Sequence, residues 1–585
     1  MGCAILLGVI GAVYYLVWQN CLKQTDGHFT YVLDDPYIHL AIAKNLAQHG
    51  IWGVTQYSFS SASSSPLWTV FLGLVERIEG DSVFWPLIFS VIFSSATAVL
   101  LYFRFVRAKF GLVFAVVGAL VVFAAGPLHV LPFTGMEHCM QILLDVVFGF
   151  WLLDKMGRPS ETKDLPVAAL LTTLVCSCRY EGVFLVVVPV VVCLWRRDWR
   201  LASALAVGPV LAVGGFALYS HSVGMPLIPN SISLKGHFPS VGAVAYVRDL
   251  VLAAYSALHF GSGTHADLFV ICVIAVLAMR LRALRTATSS LQIWMWTLVV
   301  AGALHAGFAT FGWFFRYEAY LVVSMTTVII LAFREFLAQE AATGPAPVST
   351  VIWMLGIGLV TVIQAVMHRF GWVYRSDSSA ILSTNLVALT LLVLMFVGPK
   401  TRDRLTKSMV GVLVPIVVIV SIWDRASYSY SVVGNGSRDI YLQQIQMSRF
   451  ISRYYMRGRL AANDIGAVTY FTDVHLFDIW GLANDEVRRL RVARQYSTKT
   501  LGPMLDTFKP DLVIAYPQWY SGRTRFPSSY IPMAAWVIPA TITAAFPNVM
   551  FYAPNATAAK RLQRELREFT TSLPPQVKVQ IRSGL

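Results

Sequence analysis

Apolar runs of bilayer-crossing length recur along this chain from its second residue to about residue 423, and they decide what it can fold into. A segment inside lipid must satisfy its own backbone N–H and C=O groups, so runs of this kind become helices. The period-two alternation of a membrane barrel is absent. Charged residues make up only 13% of the 585 and hydrophobic types 56%, against about 25% charged in soluble domains. A large soluble core is therefore excluded. Candidate spans centre on residues 3–18, 83–103, 110–128, 138–153, 165–178, 183–195, 201–219, 265–279, 291–310, 318–333, 349–367, 380–398 and 408–423. The first has no basic residues ahead of it and no small-residue cleavage site, so it reads as a retained span.

Basic residues set the orientation. Arg104, Arg107 and Lys109 share one loop; Lys155, Arg158 and Lys163 share another; Arg196, Arg197 and Arg200 a third. Arg280, Arg282 and Arg285, then Arg334, then Lys400, Arg402, Arg404 and Lys407 continue the series. These loops alternate with others poor in Lys and Arg, which makes the basic set cytoplasmic. The loop 19–66 and everything after Trp423 then face outward. The expected organisation is a transmembrane domain over 1–423 and a soluble extracytoplasmic domain over 424–585.

Beyond Trp423 the composition changes. "AVTYFTD", "HLFDIWG", "DLVIAY" and "NVMFYAP" read as short strands. "SRDIYLQQIQMSRFISRYY" and "ATAAKRLQRELREFTTSL" read as amphipathic helices. This α/β region holds 20 Lys and Arg against 11 Asp and Glu, most of the chain's net charge of +15. Such a surface suits anionic headgroups or an anionic glycan, or is simply a solvated basic face. Nucleic acid is not an expected partner. All seven cysteines precede residue 273, mostly in apolar runs, and Cys176-x-Cys178 lacks the spacing and histidines of a metal site.

"YVLDDPYIHLAIAKNLAQHG" (residues 31–50) is the anomaly of the first outer loop. Asp35 as N-cap, Pro36 at the first helical position and Gly50 at the end delimit a helix too short to span, expected to lie along the membrane surface. Capping accounts for one aspartate. Asp34 has no such task, and an unpaired carboxylate at a membrane boundary is costly. Vicinal carboxylates there could serve as a general base on a sugar hydroxyl and as a holder of a neighbour or cation.

The acidic pair, the surface helix and "SSSPLW" (Ser63–Trp68) together resemble the GT-C glycosyltransferases, multi-pass enzymes that use polyprenyl-phosphate sugars. The resemblance is nearest to the bacterial branch containing the mycobacterial terminal arabinofuranosyltransferase. "FTGMEH" (Phe133–His138), "CRYEG" (Cys178–Gly182), "PNSISLK" (Pro229–Lys235) and "FFRYEAY" (Phe314–Tyr320) match further motifs of that family in order. "NDIGAVTYFTDVHLFDIWGLAND" (Asn463–Asp485) resembles its outer-domain D-x-G and D-x-x-G-L pattern. Tyr180 stands where the family has proline.

The resemblance implies a polytopic α-helical membrane protein of GT-C type, with about 11–13 transmembrane helices and a C-terminal soluble α/β periplasmic domain. It implies a bacterial inner-membrane enzyme that moves a sugar, with inversion, from a polyprenyl-phosphate donor to a glycan, lipid or protein acceptor. Asp34 or Asp35 would be the catalytic base. Lys235 and Arg316, with Arg179 and His237 behind them, would bind the donor phosphate, and Glu137 and Asn230 would orient substrate. D-D rather than D-x-D leaves a divalent cation open. Each residue also has an ordinary structural reading: Lys235 as a snorkelling lysine, Arg179 and Glu181 as an ion pair, Arg316 as a cation–π anchor. Asp464, Asp473 and Asp478 read as turn and strand-end residues. Two other functions compete: a lipid-linked sugar flippase or transporter, which would favour mid-span charges and an inverted repeat, and a non-catalytic assembly protein. The donor sugar and the acceptor are not legible.

Overall fold

The computed structural model describes residues 1–224, 226–227, 229–235, 289–340, 422–423 and 425–582. Helices α1 (Gly2–Gln24), α2 (Asp35–His49), α3 (Pro66–Glu79), α4 (Trp85–Arg107), α5 (Leu112–Ala125), α6 (His138–Lys155), α7 (Asp164–Cys178) and α8 (Gly182–Trp195) open the chain. Helical segments Trp199–Ser222, Asn230–Lys235, Ser289–Phe308 and Ala319–Glu340 follow. Among the described residues, Gly2–Gln24, Trp85–Arg107, Trp199–Ser222 and Ser290–Phe308 are long and apolar enough to cross a membrane, and four shorter apolar helices accompany them. The protein is a polytopic membrane protein. The expected spans 265–279, 349–367 and 380–398, and most of 408–423, lie outside the described residues.

Helix ends follow the sequence punctuation. Ser65 caps α3, its hydroxyl accepting from the Trp68 N–H, with Pro66 at the first position. Gly50 ends α2 in the left-handed conformation, φ 68°. Two expectations about α2 change. Asp34, not Asp35, occupies its N-cap position, and the Asp34 side chain does not cap its own helix. Nor does α2 lie on a surface: every residue from Pro36 to Ala43 is buried, because α3 packs on one side and a helix at Gly466–Tyr470 on the other.

A long helix from residue 425 leads through a π-helical turn at Tyr441–Ile445 to Tyr454 and into an α/β region. There β1 (Arg459–Ala462), β2 (His475–Asp478), β3 (Leu512–Ala515), β4 (Ile531–Val537), β5 (Asn548–Ala553) and β6 (Lys578–Ile581) form one sheet in the order β2-β1-β3-β5-β4-β6. β2, β1 and β3 are parallel, with Leu460 opposite Leu476 and Leu512; the remaining pairs are antiparallel. The amphipathic helix Ala556–Thr570 covers one face through Leu562, Leu566 and Phe569, which pack on Trp536 and Phe551. "AVTYFTD" is not a strand. It forms the helix Gly466–Tyr470, since its first free N–H groups find an acceptor from elsewhere in the chain.

Candidate active site

That acceptor is Asp34. Its Oδ2 takes the Gly466 N–H at 2.7 Å and its Oδ1 the Ala467 N–H at 2.8 Å. Glycine at 466 is required by the approach: a Cβ there would lie 2.1 Å from the Asp34 carbonyl oxygen. The carboxylate thus ties the first loop to the C-terminal α/β region. Burial raises its pKa first, and the neighbouring Asp464 and Asp35 carboxylates raise it further, against the two N–H groups. Asp464, just past the end of β1, is raised too, chiefly by burial. Tyr516 and Gln444 donate to its Oδ2 at 2.6 Å each, and the Asn463 amide to its Oδ1 at 3.0 Å. In the sequence Asp464 reads as a turn or strand-end residue. Its one signal was the D-x-G spacing that puts it two residues before the glycine Asp34 needs.

Asp35 points elsewhere. Its side chain keeps 23% of its surface exposed, and its Oδ2 receives Nη2 of Arg316 at 2.5 Å. Arg316 is 1% exposed and also donates to the Tyr317 hydroxyl at 3.0 Å. Among the described residues, its Nε and Nη1 have no hydrogen-bond partner. A buried guanidinium with donors to spare is suited to an anion.

The backbone that presents Arg316 is unusual. Gly312, Trp313, Phe314 and Phe315 have φ values of 80°, 41°, 63° and 61°, a left-handed turn that costs roughly 1–2 kcal/mol per non-glycine residue. Glu318 Oε2 accepts the Gly312 N–H at 2.8 Å. Arg425 donates to Glu318 Oε1 and to the Phe315 carbonyl, each at 2.8 Å.

Arg179, between α7 and α8, donates through Nη1 to Glu137 Oε1 at 2.7 Å and through Nε and Nη2 to Glu181 at 3.1 and 2.5 Å. Burial opposes ionisation of Glu137, but His138, Arg179 and His39 outweigh it and hold the carboxyl below the usual range. Ser64 reaches both Glu137 and His39, and His39 bonds Thr69, which accounts for the serine-rich stretch ahead of α3. Gly135, φ 64°, lets this turn reach the first loop; a Cβ would meet Pro36 and Tyr31 at 2.7 Å. The Tyr317 ring collects the cluster: the Arg316 guanidinium lies 4.8 Å from its centroid, that of Arg179 5.5 Å, and the His138 ring 6.1 Å. His138 is buried, and neither of its ring nitrogens has a partner among the described residues.

Structure searches find this arrangement of helices and sheet in a solved protein. ArnT from Cupriavidus metallidurans in the apo state matches at TM-score 0.50 and 15% identity, over 96% of this chain and 99% of that one. The same protein bound to undecaprenyl phosphate matches at TM-score 0.49 and 15% identity, over 94% and 98%. The chain has the GT-C fold. A domain family of unknown function, DUF8728, matches residues 438–552, which include Asp464, Gly466 and Asp478. No curated protein matches the sequence.

Within this GT-C fold, Asp34, Asp35, Arg316, Arg179 and Glu137 come together where the C-terminal region meets the helices. Asn230 stands apart from them, donating to the Leu482 carbonyl at 3.2 Å. That carbonyl belongs to a loop wound around Asp478, which accepts the N–H groups of Trp480, Gly481 and Ala483. Lys235 ends the short helix Asn230–Lys235, and His237 lies outside the described residues. Among the described residues, no three His, Cys, Asp or Glu side chains are grouped to hold a metal ion. His138, Tyr317 and Asp464 are site residues that the sequence does not mark as such; Asp464 reads there as a turn or strand-end residue. Two of them sit inside motifs read for a neighbour, Glu137 and Arg316.

Proposed function

We propose that the protein is a glycosyltransferase that moves a sugar from a polyprenyl-phosphate donor to a hydroxyl acceptor of the cell envelope, with inversion, at the outer face of a bacterial inner membrane. The observation that carries this reading is the 2.5 Å contact between a partly exposed carboxylate, Asp35, and a buried guanidinium, Arg316, two of whose nitrogens have no partner among the described residues. A base and a cation for the leaving group are thereby adjacent. Asp35 takes the proton of the acceptor hydroxyl, whose oxygen bonds to the anomeric carbon. The bond from that carbon to the phosphate oxygen breaks, and its electron pair leaves on the phosphate. Arg316 neutralises that charge, with Lys235 and His237 as further cations and Arg179 set behind it. Glu137 keeps Arg179 oriented. Asp34 positions Asp35 by anchoring the loop to the C-terminal region.

The basic composition of that region favours an anionic envelope acceptor. The solved ArnT complex carries undecaprenyl phosphate, a leaving group of the proposed type. The decisive assay supplies purified full-length protein with a panel of synthetic polyprenyl-phosphate sugars and follows release of polyprenyl phosphate. Transfer from at least one donor, abolished in Asp35→Asn, supports the proposal. Full transfer by Asp35→Asn refutes it.

A further inference from the structure

We infer that Glu318 and Arg425 are positioning residues that aim Arg316 by holding a left-handed turn closed; the inference rests on the transferase reading of the site. Arg316 directly follows four residues with positive φ, three of which carry a Cβ. L-residues leave that region unless surroundings over-determine it. Here two hydrogen bonds hold the turn's two ends, and a third joins the side chains that make them. Glu318 holds the N–H of Gly312, the first residue, and Arg425 holds the carbonyl of Phe315, the last; the two side chains then bond each other. Both are fully buried.

A buried ion pair contributes little net stability, and in some proteins its role is to set one geometry over others. The geometry set here is the direction of the next side chain. The chain turns so that the Arg316 guanidinium lands on Asp35 and the Tyr317 ring. Arg425 lies on the helix that runs into the α/β region. Seating of that region and the aim of Arg316 are therefore linked through one side chain. The region already grips Asp34. Both the base side and the phosphate side of the site are thus referred to the same body.

The test measures binding of a short-chain polyprenyl monophosphate, the leaving group alone, to full-length protein in nanodiscs. Wild type binds, and Arg316→Ala binds at least about tenfold more weakly, the loss of a charge-assisted contact. Glu318→Gln and Arg425→Lys each lower affinity by about three- to thirtyfold, and neither lowers it further in the Arg316→Ala background. That non-additivity is the readout a merely structural role would not give. Should Glu318→Gln fail to fold, Arg425→Lys and Gly312→Ala carry the same comparison. Wild-type affinity in the folded variants, or full additivity with Arg316→Ala, overturns the inference while leaving the transferase reading intact. Absence of binding by wild type overturns both.

Discussion

Asp35 Oδ2 and Arg316 Nη2 meet at 2.5 Å across 281 residues of sequence. The two vicinal aspartates divide their labour through this contact. One engages a cation in the site, and the other engages backbone N–H groups of the C-terminal region.

Asp35→Asn is expected to lower kcat by about 10²–10⁴, the range of a lost general base, with little change in donor KM. Steady-state kinetics with a polyprenyl-phosphate sugar checks this. Asp34→Asn is expected to act differently, lowering thermal stability and only secondarily activity, since both of its oxygens accept from backbone.

Gly466→Ala should loosen the C-terminal region from the first loop. The added Cβ would lie 2.1 Å from the Asp34 carbonyl oxygen and 2.8 Å from its carboxyl carbon. A cost of about 1–3 kcal/mol is expected for overpacking of this kind. Faster limited proteolysis between residues 425 and 470 would report it; proteolysis at the wild-type rate would contradict the tie.

Arg179→Met should destabilise the protein by about 3–5 kcal/mol, because it strands the fully buried Glu137 carboxylate and breaks the pair to Glu181. Arg179→Met with Glu137→Gln should recover part of the loss. The melting temperatures of the single and double variants in detergent decide between coupling and independence.

The Asp34–Asp464 neighbourhood predicts a pH dependence. The Asp34 pKa is raised, from 3.8 to about 7, by burial and then by Asp464. The folded state therefore binds more protons than the unfolded one between those values, so stability is fully present below about 3.8 and declines as pH rises toward about 7. Asp464→Asn removes a repelling carboxylate and should flatten that decline. Melting curves across pH 4–8 test it; an unchanged slope in the variant would count against the assignment.

Legibility varied with the range of the interaction. The nine expected spans inside the described residues each correspond to a helix. The α/β character of the C-terminal region was readable from alternation and amphipathicity, with one failure at "AVTYFTD". β-branched and aromatic residues favour a strand there, and a carboxylate 432 positions away favours a helix start. Arg179 beside Glu181 was readable as an ion pair; that Glu137 completes it was not. His138 and Tyr317 are not legible as site residues, because neighbours in the same motifs carry the more conspicuous charges.

The sequence by itself determined that this chain enters a membrane, where its helices start and stop, and that an α/β region follows them. Those properties depend on hydropathy and backbone punctuation within some twenty residues. Only the tertiary structure decided which aspartate faces Arg316, which grips Gly466, and how a left-handed turn at Gly312–Phe315 is held by Glu318 and Arg425. Each of these is a pairing between loops hundreds of residues apart. Its partners are selected by how the helices pack and where their ends coincide, a property of the assembled molecule that no local window contains.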